Sequence, residues 1–115
     1  MLAFIGTRRV VVHNDAHAIT RQRADLSHEL AHAILLHQPH PAIAGVPPRF
    51  DREQEDEARW LGGVLLVLDD FCVACARRGI DIPDAAARMG ISEQLMRWRF
   101  NMSGARRRSG GGLAA

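Results

Sequence analysis

From Thr20 to His37 the chain has no Pro and no Gly, and Leu26, Leu30, Ala33, Ile34 and Leu36 supply apolar positions near helical spacing. Thr20 and Asp25 are candidate caps at the start, while Pro39 and Pro41 forbid a helix much beyond His37. Inside this bounded helix lies His28-Glu29-Leu30-Ala31-His32, an H-E-x-x-H pattern. Residues four apart on a helix lie one above the other, so both imidazoles can aim at one spot. Two neutral imidazoles are half of a tetrahedral zinc site, and Glu29 stands beside them where a catalytic base is needed. The bland alternative is a surface helix whose histidines share a face by coincidence, in a chain that holds six of them.

At 115 residues and 47% hydrophobic content, the chain suits one small globular domain with a short appendage. Its longest apolar run, Leu61 to Leu68, falls far short of the roughly 18 residues of a membrane span. Met1 to Gly6 has neither the basic start nor the long apolar centre of a secretory signal, so a cytoplasmic protein is expected. All 15 basic residues are Arg, and the net charge is +2. The charge is unevenly spread: Asp51 to Glu57 is acidic, whereas Arg97, Arg99 and Arg106 to Arg108 follow the last acid, Glu93. Such a basic end is either a solvated tail or a surface for anions or nucleic acid. Cys72 and Cys75 form a C-x-x-C pair, but no Cys or His follows to complete a zinc knuckle. They sit well inside a helical segment rather than at a helix start after a strand, so they read as small core residues.

Arg8 to His13 is a short β-branched strand, and Asn14-Asp15 is turn chemistry. His40 to Phe50, rich in Pro and Gly, reads as an irregular loop. Asp51 then caps a second helix, with Gln54 completing a capping-box pattern. That helix runs through Trp60, Leu61, Leu65 and Leu66, with Gly62-Gly63 permitting close helix approach. Asp69-Asp70 restarts a helix that ends at Gly79. Two shorter helices follow: Asp81-Ile82-Pro83-Asp84 starts one, Gly90 turns the chain, and Ser92 caps the next, which holds Leu95, Met96, Trp98 and Phe100. Residues 104–115 are rich in Gly, Ala, Arg and Ser, and a disordered tail is expected there.

Zinc needs more than two histidines, so a third ligand is required. The long metalloprotease motif would place a Gly and a His three and six residues after His32, but Leu35 and Gln38 stand there. His37 is nine residues from His28, about half a turn out of phase on a continuing helix, and should face away. A carboxylate from the second helix is the remaining route. Glu55 and Glu57, two residues apart, cannot share a helix face, so at most one is the ligand. An acidic first turn favoured by the helix dipole explains some of these acids without any metal.

With those two elements in hand, the chain resembles the ImmA/IrrE family of metallo-endopeptidases. The resemblance rests on His28-Glu29-Leu30-Ala31-His32 with Leu35-Leu36-His37, and on Glu55-Asp56-Glu57-Ala58-Arg59-Trp60-Leu61-Gly62-Gly63-Val64-Leu65-Leu66-Val67. With Arg21-Gln22-Arg23 and the strand at Arg9 to Val12, it covers roughly residues 8 to 103. Either motif alone is unspecific; the combination is specific. The resemblance implies zinc held by His28, His32 and Glu55, with Glu57 the alternate third ligand and Glu29 the catalytic base. It also implies a substrate, because the family cleaves helix-turn-helix repressors and relieves repression in mobile elements or after stress. The sequence departs from the family pattern at Arg59, where an Asp or Asn that could orient a zinc-bound His often stands, and at Leu68, which replaces a Pro.

The expected fold is α+β: a small, mostly helical zincin-like domain with a short sheet packed on the H-E-x-x-H helix. The expected divisions are a metallopeptidase core at 1–79, a helix-turn-helix-like hairpin at 80–103 and the tail at 104–115. In that hairpin Ala85 to Met89, Gly90 and Ser92 fit a packing helix, a turn and a capped recognition helix, from which Arg97 and Arg99 would meet phosphates. Two further readings follow: a DNA-binding regulator with a vestigial metal site, and an interaction module in which metal only holds the fold. A hairpin that simply completes the core, burying Trp98 and Phe100, needs neither.

Overall fold

A computed structural model describes residues 2–5, 8–37 and 51–110. Leu2–Ile5 (β1) and Arg8–Val11 (β2) pair as an antiparallel two-stranded sheet, with Leu2 opposite Val11 and Ile5 opposite Arg8. β2 lies inside the stretch expected from its β-branched residues and stops two residues sooner, whereas β1 is an addition. Beyond β2, Asn14 Oδ1 accepts the Ala16 N–H at 2.9 Å, closing the expected turn.

Helix α1 spans Ile19–Ile34 and carries the H-E-x-x-H pattern. Ala18 occupies the cap position without any side-chain cap, so neither Thr20 nor Asp25 serves there. Instead Gln22 Nε2 reaches back to the carbonyls of His17 and Asp15 at 2.8 and 3.2 Å, tying the first turn of the helix to the turn before it. The far end stops earlier than its prolines require. Leu36 adopts a left-handed φ of 59°. The Leu36 N–H then reaches the Ala33 carbonyl at 3.2 Å, and the His37 N–H reaches the His32 carbonyl at 2.9 Å. Those two bonds are a Schellman termination, formed here with Leu where Gly is usual. Pro39, Pro41 and the expected loop at 40–50 lie outside the described residues. Arg9 Nη1 donates to the Ala33 carbonyl at 2.9 Å, so β2 is tied to the last turn of α1, and both strands contact this helix.

Helix α2 spans Arg52–Leu66, and Asp51 Oδ1 accepts the Gln54 N–H at 3.2 Å as the capping pattern predicts. Ala58 and Gly62, four residues apart, are buried on one face of it, and Ser27 and Ala31 are the buried residues of α1. Small residues let helix backbones approach closely. A Cβ on Gly62 would lie 3.2 Å from both Cα and N of His28, and Ser27 Oγ donates to the Gly62 carbonyl at 2.7 Å.

The chain divides into two compact units, Met1–Gly62 and Gly63–Ala115, so the boundary falls within α2 rather than at the expected Gly79. The second unit contains α3 (Asp69–Arg77), α4 (Ile82–Met89), α5 (Glu93–Ser103) and α6 (Ala105–Gly110). Its core gathers Val67, Cys72, Val73, Cys75, Ile82, Met96 and Phe100 among others. Asp81 caps α4 by accepting from the Asp84 N–H at 2.8 Å, and Ser92 caps α5 by accepting from Leu95 at 3.1 Å. Gly90, left-handed at φ 66°, makes the turn between them. On α2, a Cβ at Gly63 would collide with the Trp98 indole at 2.5 Å, so the absent side chain is the space that ring fills. Cys72 and Cys75 are free thiols inside this core, as their helical setting predicts.

The expected disordered tail is corrected over residues 105–110, which form α6. Composition misleads there because the packing needs only one small apolar residue, Ala105, which is fully buried, and a charge: Arg108 donates to Asp69 Oδ2 at 3.3 Å and to the Ser103 carbonyl at 3.2 Å. Residues 111–115 of that tail are outside the described part. Among the described residues no helix is long and apolar enough to cross a membrane.

Candidate metal centre

The i, i+4 spacing on α1 brings the rings of His28 and His32 edge to face, centroids 4.8 Å apart, with their Nε2 atoms 3.2 Å from one another. Glu55, in the first turn of α2, completes the group. Its Oε2 lies 2.8 Å from His28 Nε2 and its Oε1 3.2 Å from His32 Nε2. Among the described residues this is the one cluster of three or more His, Cys, Asp or Glu side chains whose donor atoms converge in this way. Glu29 follows His28 on α1 and is partly buried.

The donor chemistry fits a divalent ion. Atoms bonded at 2.0–2.1 Å to a tetrahedral zinc stand about 3.3 Å from one another. The separations here, 2.8 to 3.2 Å, are close to that edge length. Nitrogen and carboxylate oxygen are also the ligand types that zinc accepts. Burial pushes the Glu55 carboxyl up, but its hydrogen bond from His28 and the charges of His32 and His28 outweigh that, leaving its pKa below the ordinary carboxylate value. The group therefore holds Glu55 as an anion between two imidazoles.

Glu57, the alternate third ligand, stands apart from this trio. Its Oε2 lies 3.2 Å from His37 Nε2, and His37 Nδ1 lies 2.8 Å from His32 Nδ1. The expectation that His37 faces away is corrected. It assumed a helix continuing through residue 37, whereas the left-handed Leu36 folds the chain back and buries the His37 ring, 8% exposed, against His32. No Gly or Asn marks the turn in sequence, so local chemistry gave no warning of it. Arg59, standing where an orienting acid or amide was expected, is exposed, and the neighbour of His32 is His37 instead.

Arg99 is the other correction. Proposed from sequence as a phosphate contact, it is 1% exposed; its Nε donates to the Val67 carbonyl at 3.0 Å and its Nη2 to Asp69 Oδ1. A guanidinium buried to this degree is out of reach of nucleic acid. Arg97, two residues earlier on α5, is exposed. Residues two apart on a helix point in different directions, so both could not have lined one contact surface.

The sequence profile of the IrrE N-terminal-like domain, peptidase family M78, matches residues 2–101. No curated protein and no solved structure matches the chain significantly. The matched span takes in both helices of the His28, His32 and Glu55 cluster and most of the second unit. The chain belongs to the IrrE N-terminal-like family of peptidases.

Proposed function

We propose that this protein is a zinc-dependent endopeptidase in which His28, His32 and Glu55 hold the metal and Glu29 is the catalytic base. The convergence of two imidazole nitrogens from α1 and the carboxylate of Glu55 from α2, with N–N and N–O separations of 2.8 to 3.2 Å, is the observation that carries the reading. Membership of a peptidase family supports the reaction type. When bound, zinc supplies acidity and polarisation: it lowers the pKa of a water toward about 7 and draws electron density from a scissile carbonyl.

The remaining chemistry belongs to side chains. His28 and His32 hold their rings by the helix backbone, four residues apart, so the pair is fixed before substrate arrives. Glu55 contributes a negative charge that partly offsets the dication. Glu29 takes the proton from the attacking water and returns it to the amine nitrogen that leaves, so one carboxylate acts as base and then as acid. The chain has no Tyr, and an oxyanion donor would come from His, Arg or backbone N–H groups.

For the substrate we propose a DNA-binding repressor of the helix-turn-helix type, on the analogy of the family resemblance, and for the consequence relief of repression. The test combines metal analysis of the purified protein with its incubation beside helix-turn-helix repressors, any encoded next to it first. Zinc at one equivalent, cleavage stopped by a chelator, and a Glu29→Gln variant that keeps zinc but loses about 10²–10⁴-fold in rate support the reading. Undiminished cleavage by Glu29→Gln overturns it.

A further inference from the structure

A histidine that binds a metal through one ring nitrogen must dispose of the other, and that second nitrogen decides its tautomer. For His32, with Nε2 in the cluster, the second nitrogen is Nδ1, which meets His37 Nδ1 at 2.8 Å. We infer that His37 and Glu57 form an outer hydrogen-bond chain that fixes the tautomer and ring orientation of His32, making both of them positioning residues of the metal site. The inference rests on the reading of His28, His32 and Glu55 as ligands.

Proton placement follows without freedom once His32 Nε2 offers its lone pair to a metal. His32 Nδ1 then carries the hydrogen and donates it to His37 Nδ1. His37, neutral and accepting at Nδ1, carries its own hydrogen on Nε2 and donates it to Glu57 Oε2 at 3.2 Å. Every ring nitrogen outside the metal cluster on this path is satisfied, which a buried imidazole requires. The His32 and His37 rings meet at 62° with centroids 5.1 Å apart, an edge-on arrangement suited to an N–H···N bond rather than to stacking. Glu57 is 48% exposed, so the path ends on a carboxylate that solvent reaches.

The backbone is bent to make this contact. Leu36 holds a left-handed conformation that a branched side chain rarely adopts, and it is itself largely exposed. The turn it makes delivers His37 onto His32 five residues back. The helix termination alone would be served by any residue but Pro at position 37, since only its backbone N–H is used. The buried ring and its two side-chain partners are what termination leaves unexplained.

The test uses the full chain and reads zinc affinity by competition with a fluorescent chelator, together with histidine ring tautomers by ¹⁵N NMR. His37→Ala is expected to weaken zinc binding about 10- to 100-fold. Glu57→Ala weakens it less, and adds nothing in the His37→Ala background because it acts only through His37. His37→Asn, whose amide oxygen can accept from Nδ1–H, recovers part of the loss. In the zinc-loaded wild type, His32 shows the Nδ1–H tautomer. If His37→Ala binds zinc as tightly as wild type while His28→Ala does not, the inference is overturned and the ligand set stands. A wild type that takes up no zinc removes the ligand set and the inference together.

Discussion

Ser27 Oγ donates a 2.7 Å hydrogen bond to the carbonyl of Gly62, one residue ahead of His28 on α1 and about two helical turns beyond Glu55 on α2. This contact sets how closely the two helices approach and therefore how far the Glu55 carboxylate stands from the two imidazoles. The site's geometry is thus decided by a hydroxyl and a missing side chain that take no part in the chemistry.

Gly62→Ala tests that arrangement. Alanine favours a helix by about 0.5–1 kcal/mol over glycine. Here its Cβ would press on the His28 backbone, with Cα and N each 3.2 Å away, and backbone yields less easily than a flexible side chain. Overpacking costs about 1–3 kcal/mol, so a net loss of stability is expected, with Gly62→Val losing more. Thermal melts measure the loss, and zinc titration should show weaker binding in both variants as α2 is pushed off α1.

Arg99 and Asp69 predict an asymmetry. Removing Asp69 strands a guanidinium that is 1% exposed, whereas removing Arg99 leaves a carboxylate that is 46% exposed and still within reach of Arg108. Breaking a buried pair so that the buried charge is left alone costs about 3–5 kcal/mol. Asp69→Ala should therefore destabilise the protein more than Arg99→Met, a hydrophobic substitution of similar reach. Denaturant melts of the two variants give the order directly.

The buried thiols predict an alkaline limit to stability. Burial raises the pKa of both Cys72 and Cys75 above the ordinary thiol value of 9.0. Above that value the unfolded chain loses thiol protons that the folded chain keeps, so stability falls as pH rises beyond about 9. The chain has no Lys and no Tyr, which removes the other side chains that titrate there. Denaturant melts from pH 8 to pH 11 should decline in wild type and flatten in a Cys72→Ala, Cys75→Ala double variant. At neutral pH the native thiols should resist alkylation until the protein unfolds.

Much of this was legible in sequence, for a physical reason. His28 and His32 were readable because i, i+4 spacing fixes their relation within one helix, and the caps at Asp51, Asp81 and Ser92 because capping is a local exchange of hydrogen bonds. Residue spacing alone left Glu55 and Glu57 open, and only the family resemblance favoured Glu55, since the choice depends on how α2 lies against α1, where Gly62 meets Ser27 and His28. His37 was misread because the turn at Leu36 lacks the Gly or Asn that would announce it. Helix α6 was missed because one buried alanine and an arginine reaching Asp69 leave almost no trace in composition. The helix-turn-helix pattern put Arg99 on a phosphate-facing helix, whereas its position is set by partners distant in sequence, the Val67 carbonyl and Asp69, which no local pattern announces.

X-ray absorption at the zinc edge, on protein loaded with one equivalent, tests the central claim most directly. The account predicts two imidazole nitrogens at about 2.0–2.1 Å and an oxygen shell that loses one member in Glu55→Ala, with a parallel loss of affinity. Zinc bound with no imidazole in its first shell, or held as tightly by Glu55→Ala as by wild type, would contradict it.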